Sequence, residues 1–376
     1  ITNIDKVAPI ITIGEYNTEP TNQDITVTAS VNKGTLNATS HTFTENGSFE
    51  FTAIDDAGNI SSVVVTITNI DKEAPIITIG EYNTEPTNQD ITVTASVNEG
   101  TLNAESHTFT ENGSFEFVAT DTAGNESRKT VTITNIDKTD PDAPTLQADK
   151  TAPTNTDVTV TITYSADSTV KQYKIGSGNW TNYTGPVVLS ENATVYAKGQ
   201  DEAGNWSTEA SLEVSNIDKD VPDAPTLQAD KTAPTNTDVT VTITYSADSV
   251  VKQYKIGSGN WTNYTGPVVL SSNNTVYAKG QDEAGNWSTE ASLEVSNIDK
   301  VAPNAPTLQA DKTGPTNTDV TVTITYSADS VVKQYKIGSG NWTNYTGPVV
   351  LSENATVYAK GQDEAGNWST EASLEV

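Results

Sequence analysis

Ile-Asp-Lys occurs at residues 4–6, 70–72 and 136–138, a period of 66, and again at 217–219 and 298–300, a period of 81. Repetition at this length constrains the fold more than any single residue does. Each copy must bury its own small core and meet a neighbour built like itself. The spacing predicts two short modules, 7–72 and 73–138, and three long ones, 139–219, 220–300 and 301–376, with residues 1–6 as the tail of a preceding module. The other long modules continue into Ser-Asn-Ile-Asp-Lys where the last stops at Val376, so the chain is expected to be a segment of a longer array. Copies in a row suit a stalk better than an enzyme.

Modules of this size bury modest cores and are marginally stable alone. The chain has no cysteine, so no disulfide staples them, which argues against the usual small animal extracellular module. Acidic side chains number 49 against 20 basic ones, a formal charge of −29. Nucleic acid is excluded as a partner by sign. No apolar run reaches spanning length, so no membrane insertion is expected in this segment.

Apolar residues alternate with polar ones at Ile25, Val27, Ala29 and Val31, at Phe49, Phe51 and Ala53, and at Val63, Val65 and Ile67. That is strand periodicity, and no segment shows a helical one. Asn46-Gly47 between Phe43 and Phe49 predicts a tight hairpin. From Asp24 to Asp55 is 31 residues, and from Asp157 to Asp201 it is 44, so the long module carries 13 extra residues in its middle, around Gly176 to Trp180. An added or lengthened middle hairpin is the simplest reading. The expected fold is all-β: a tandem array of five immunoglobulin-like sandwiches. Proline-bearing junctions such as Val7-Ala8-Pro9 and Pro141-Asp142-Ala143-Pro144 read as stiff spacers, giving an extended rod of about 150–200 Å.

Three motifs recur in both module types: Pro20-Thr21-Asn22-Gln23-Asp24, Asp55-Asp56-Ala57-Gly58-Asn59, and the Asn-Ile-Asp-Lys linker. An Asp-x-Ala-Gly-Asn-x-Ser turn before the last strand, followed by Asp-Lys-x-Ala-Pro, resembles the tandem bacterial immunoglobulin-like domains of surface adhesins, biofilm-associated proteins and S-layer proteins. The resemblance implies an extracellular, cell-surface setting and neighbouring modules of the same chain as partners. On such a sandwich the first motif lies at the pole where the chain leaves a module and the second at the pole where it arrives. Each junction then gathers aspartates: Asp24, Asp71 and Asp121, with Asn125 as a further candidate beside them; Asp90, Asp137 and Asp201; Asp157, Asp218 and Asp282; Asp238, Asp299 and Asp363. Asp5 and Asp55 belong to the same series at the first module. Pooled carboxylates repel unless a hard cation binds, and the arrangement resembles cadherin junctions, so junctional Ca²⁺ is expected to stiffen the array. The competing reading is local: a turn aspartate caps its own backbone, beside a glycine that supplies positive φ.

Catalysis has little to draw on. His41 and His107 are the only histidines and sit in strand-like His-Thr-Phe-Thr stretches. The aromatic residues of the long modules offer a second binding reading. Trp180 and Tyr183, Trp261 and Tyr264, and Trp342 and Tyr345 could stack on sugar rings, with avidity from three copies. Alternatively they fill a core that has no disulfide. The functions in play are thus a structural shaft of an adhesin, a self-assembling S-layer or filament subunit, and a carbohydrate-binding array with a cell-surface or glycan receptor.

Overall fold

The computed structural model describes residues 4–376. The first repeat forms β1 (Ile11–Ile13), β2 (Ile25–Val31), β3 (Thr35–Leu36), β4 (Ser40–Phe43), β5 (Gly47–Ile54) and β6 (Ile60–Ile67). Antiparallel sheet β1–β2–β4 faces sheet β3–β5–β6. Period-two alternation turns Ile25 and Val27 of β2 inward and Thr26 and Thr28 outward. Phe51, Ala53, Val65 and Ile67 supply the opposing layer, with Phe51 fully buried. His41 lies flat on Phe49, ring centroids 3.9 Å apart, and edge-on to Phe43. It packs as an aromatic. The second repeat repeats the pattern with β7 (Ile77–Ile79), β8 (Ile91–Val97), β9 (Thr101–Leu102), β10 (Ser106–Phe109), β11 (Gly113–Thr120) and β12 (Glu126–Ile133).

The hairpin expected at Asn46-Gly47 does not form. β4 pairs with β2 and β5 with β6, so this turn carries the chain from one sheet to the other. Positive φ is absent at both residues. The Asn46 side chain is instead drawn to the linker, as described below.

Long repeats keep this plan and add to one sheet. In the second long repeat, Thr226–Ala229, Val239–Thr244 and Val268–Leu270 form the first sheet. The second sheet runs Thr262–Asn263, Val251–Ile256, Asn274–Gln281, Ala291–Val295. The additional length therefore makes a longer third strand and a short extra strand folded back on it. Gly257 turns between them at φ +54°. Val239, Val241, Ile243, Val276 and Ala278 centre the core, and Tyr254 and Tyr264 pack on its flank.

The strand order in both repeat types is that of an immunoglobulin-like sandwich, so the chain is all-β with such sandwiches in tandem. Two compact units divide it. One comprises Ile1–Leu146, Ile162–Thr184 and Tyr196–Ser211; the other comprises Gln147–Thr161, Gly185–Val195 and Leu212–Val376. The short repeats lie within the former and the second and third long repeats within the latter. The first long repeat contributes residues to both.

Each sandwich has few large core residues, so losing one matters. Phe51→Ala should cost about 3–5 kcal/mol. Scanning calorimetry should then show one transition displaced to lower temperature, with the remaining heat absorption unchanged.

Candidate functional site

The three recurrent motifs meet where one repeat hands over to the next. The linker is the first part to be fixed. Ile70 is buried in the core of its own repeat, and its backbone is satisfied by a single side chain. Asn46 Oδ1 accepts from Ile70 N at 2.8 Å, and Asn46 Nδ2 donates to Ile70 O at 2.8 Å. Thr21 runs parallel beside Ile70: its N–H donates to Asn69 O at 2.9 Å and its carbonyl accepts from Asp71 N at 3.0 Å. Asn69 Nδ2 donates to Glu19 O at 2.7 Å. The Asn-Ile half of the linker is therefore a short bridging strand of the repeat it leaves, and carries no slack.

The same loop reaches the next repeat. Asn22 N–H donates to Ala123 O at 3.0 Å, and Asn22 Nδ2 to Gly124 O at 2.9 Å. In return Asn125 Nδ2 donates to Asp71 O at 3.0 Å. The backbone bond recurs from Asn88 to Ala203, Asn155 to Ala284 and Asn236 to Ala365, at 3.0–3.1 Å. The return bond recurs from Asn205 to Asp137 O, Asn286 to Asp218 O and Asn367 to Asp299 O, at 2.8–2.9 Å. Each handover is thus clasped from both sides by asparagine.

The Asp-x-Ala-Gly-Asn turn is shaped for this. Asp121 Oδ1 accepts from Ala123 N and Asn125 N at 2.9 and 2.8 Å, and Oδ2 accepts from Asn125 Nδ2 at 2.8 Å. Gly124 takes φ +91°, which exposes the Ala123 and Gly124 carbonyls to the preceding repeat. Asp55, Asp121, Asp201, Asp282 and Asp363 are all buried in this role. Hydrogen bonds from Asn59 and Asn125 hold Asp55 and Asp121 below the ordinary carboxylate range. At Asp201 and Asp282 burial pushes the other way, and bonds from Asn205 and Asn286 outweigh it.

The remaining junctional aspartates are engaged singly. Asp24, Asp90, Asp157 and Asp238 pair with Lys72, Lys138, Lys219 and Lys300 at 2.6–3.2 Å. Asp71, Asp137, Asp218 and Asp299 each accept the backbone N–H two residues on. Asp5 accepts from Val7 N and, with Asp55, binds Lys33 Nζ at 2.7 and 3.0 Å. Among the described residues no three Asp, Glu or His side chains gather to hold an ion. The bonds these residues make in the structure go to lysines and to backbone or side-chain amides. The direct bonds across each handover are made by asparagines and backbone carbonyls. Asn22 and Asn59 stood inside the motifs, but Asn46 read only as a turn former, and nothing local linked it to a residue 24 positions away.

The aromatic candidates of the long repeats divide. Tyr183, Tyr264 and Tyr345 turn inward, each accepting a backbone N–H at its hydroxyl from Ile162, Ile243 or Ile324 at 3.1 Å. Trp180 lies on the outer face, 4.7 Å from Lys174 Nζ and 4.6 Å from Lys198 Nζ. Lys174 also meets Tyr196, and Lys198 meets Trp206 at 4.1 Å. The ladder recurs at Trp261 with Lys255 and Lys279, and at Trp342 with Lys336 and Lys360. These rings already carry ammonium partners of their own.

No family model matches the chain. No curated protein matches it significantly. Among solved structures, the tetra-tandem repeat in the extending region of a large adhesion protein aligns at 20% identity. It covers 98% of this chain and 99% of that one, with a TM-score of 0.22. The FN1–FN3 domains of chicken CNTN1 align at 11% identity over 63% of this chain and 98% of theirs, with a TM-score of 0.23. TM-scores this low assign neither fold nor function.

Asn286→Ala removes the donor to Asp218 O and one donor to Asp282, and should lower stability by about 1–3 kcal/mol in urea denaturation. The depressed turn aspartates stabilise the fold above their unfolded pKa, near 3.8, and that contribution vanishes as pH falls through the lower folded values. The melting temperature should therefore hold from neutrality to about pH 5 and fall steeply below about pH 4.

Proposed function

We propose that this chain is a spacer segment of a bacterial cell-surface adhesin, transmitting tension through repeats clasped to one another by protein hydrogen bonds. The observation that carries this reading is the asparagine clasp, whose backbone bond and return amide bond both recur at four successive handovers. Its donors and acceptors are backbone groups and neutral amides, which stay paired whatever the salt or metal content of the medium. A load applied along the chain reaches Ile70 and its counterparts through bonds that bind the linker to its own repeat. The load must shear those bonds together, and bonds loaded in parallel resist better than bonds broken in turn. The cation–π ladders of the long repeats fit the same role, tying the added strand to the outer face of its sheet.

Pulling single chains tests this reading. Each repeat should unfold as a unit, in two size classes. Full extension of 66 and 81 residues corresponds to about 230 and 280 Å. The unfolding forces and the melting temperature should be the same in EDTA and in millimolar Ca²⁺. A rise on adding Ca²⁺ would restore metal to the junction and remove the clasp as the principal tie. Unfolding in steps unrelated to the repeat lengths would defeat the spacer reading itself.

A further inference from the structure

The two short repeats differ at ten positions, and six of these fall on β5 and β6 or their counterparts. Thr52, Ile54, Ile60, Ser62 and Val64 stand where the second repeat has Val118, Thr120, Glu126, Arg128 and Thr130; Val63 stands where it has Lys129. The register sets Ile54 opposite Ile60, Thr52 opposite Ser62 and Glu50 opposite Val64. Phe51 and Ala53, which alternate with Thr52 and Ile54, are buried, so five of the six changed residues lie on the outer face; Val63, half-buried opposite Phe51, has the inward parity and stands where the second repeat has the exposed Lys129. On the outer face Ile54, Ile60 and Val64 are 48%, 62% and 59% exposed. On the second repeat the same face carries Arg128, ion-paired to Glu116 at 2.8 Å and Glu126 at 3.1 Å. The buried core residues and the clasp residues are unchanged between the copies. Half of the divergence falls on this one surface.

That surface ends in an open edge. β6 and β12 are the outermost strands of their sheets, and each runs for eight residues. No other edge strand among the described residues exceeds five. An exposed edge offers unpaired N–H and C=O groups, and folded proteins normally guard it with charge or proline. β12 is guarded by Glu126, Arg128 and Lys129. β6 reads Ile-Ser-Ser-Val-Val-Val-Thr-Ile, without a charge, in a chain whose net charge is −29.

We infer that β6 is a docking edge for a second copy of this chain, pairing β6 to β6 in antiparallel fashion and continuing the sheet. The occupant follows from length and charge. A partner must present an edge of comparable length with no charge to desolvate, and among the described residues of this chain only β6 meets both conditions. Pairing about Val63 sets Ile60 opposite Thr66 and Ser62 opposite Val64, all facing outward. The Ile60–Val64 strips of the two copies then join into one apolar surface, and the open backbone groups find partners. A β6–β12 pairing would instead press Val64 against the Arg128 network. The two copies repel through their net charge, so the contact tightens as salt screens that repulsion.

Sedimentation equilibrium of the full chain tests the inference. The expected result is a reversible monomer–dimer equilibrium, favoured by raising NaCl. The variant I60E/S62R/V63K places on β6 the residues that the second repeat carries on the same strand, so the fold accommodates them. It should weaken the dimer by about tenfold or more. The reverse variant, E126I/R128S/K129V, opens a second edge and should produce species larger than dimers. A chain that stays monomeric to about 1 mM, a dimer indifferent to I60E/S62R/V63K, or irreversible aggregation in place of a dimer would each overturn the assignment. The spacer reading rests on the handover residues and would stand after any of these results.

Discussion

Everything at the junction depends on a buried peptide unit having its hydrogen bonds met. Ile70 leaves its repeat at the end of the sandwich, with Thr21 bridging Asn69 and Asp71 on one side and no strand meeting its own N–H and carbonyl, yet its side chain belongs to the core. Burying it strands an N–H and a carbonyl, and an unmet backbone group costs more than a typical contact returns. One primary amide has the geometry to satisfy both, and Asn46 supplies it. Once Ile70 is anchored, Asp71 is held with its carbonyl toward the next repeat, within reach of Asn125. The adjacent loop is held against the linker by Thr21, which sets Asn22 against the Ala123 and Gly124 carbonyls. The clasp is thus a consequence of how the preceding core is closed.

The acidic residues make sense in the same terms. A chain this negative could gather its carboxylates around cations or keep them apart. This one keeps them apart. The turn aspartates face inward and are consumed by three donors of their own loop, as Asp121 is by Ala123 and both nitrogens of Asn125. The aspartates following the proline motif sit beside the linker lysines, and the linker aspartates cap the backbone two residues on. From the second repeat on, the junctional aspartates named here thus have separate partners. Lys33 adds a local variation, bridging Asp5 and Asp55 in the first repeat where the second has Glu99.

The two repeat types show which parts of the design can vary. The loops at both poles are common to short and long repeats, while the middle gains a longer strand, an added edge and a stacked series of lysines and aromatic rings. Length, sheet size and outer-face chemistry change without altering the handover. Repeats of different size can therefore succeed one another in a single chain. The outer face of β5 and β6 shows the same freedom on a smaller scale, apolar in one copy and ionic in the next.

Local chemistry alone determined a good deal. Alternation at Ile25, Val27 and Ala29 can bury one side only as a strand, and the repeat spacing placed the additional residues in the middle of the long repeats. Asp-x-Ala-Gly-Asn makes its turn from bonds no more than four residues apart, so its form was legible as written. Tertiary structure decided what such spacing cannot carry. Asn46-Gly47 has the composition of a hairpin, yet its strands join different sheets and its amide serves Ile70 instead. Whether the junctional aspartates pool or pair depends on side-chain directions and on lysines distant in sequence, such as Lys72 at Asp24. Trp180 and Tyr183 are three residues apart, and one lies outside against lysines while the other turns in toward the core. Short-range order follows from a residue and its neighbours; the partner of a buried amide or an ion is set by which distant segments the core brings together.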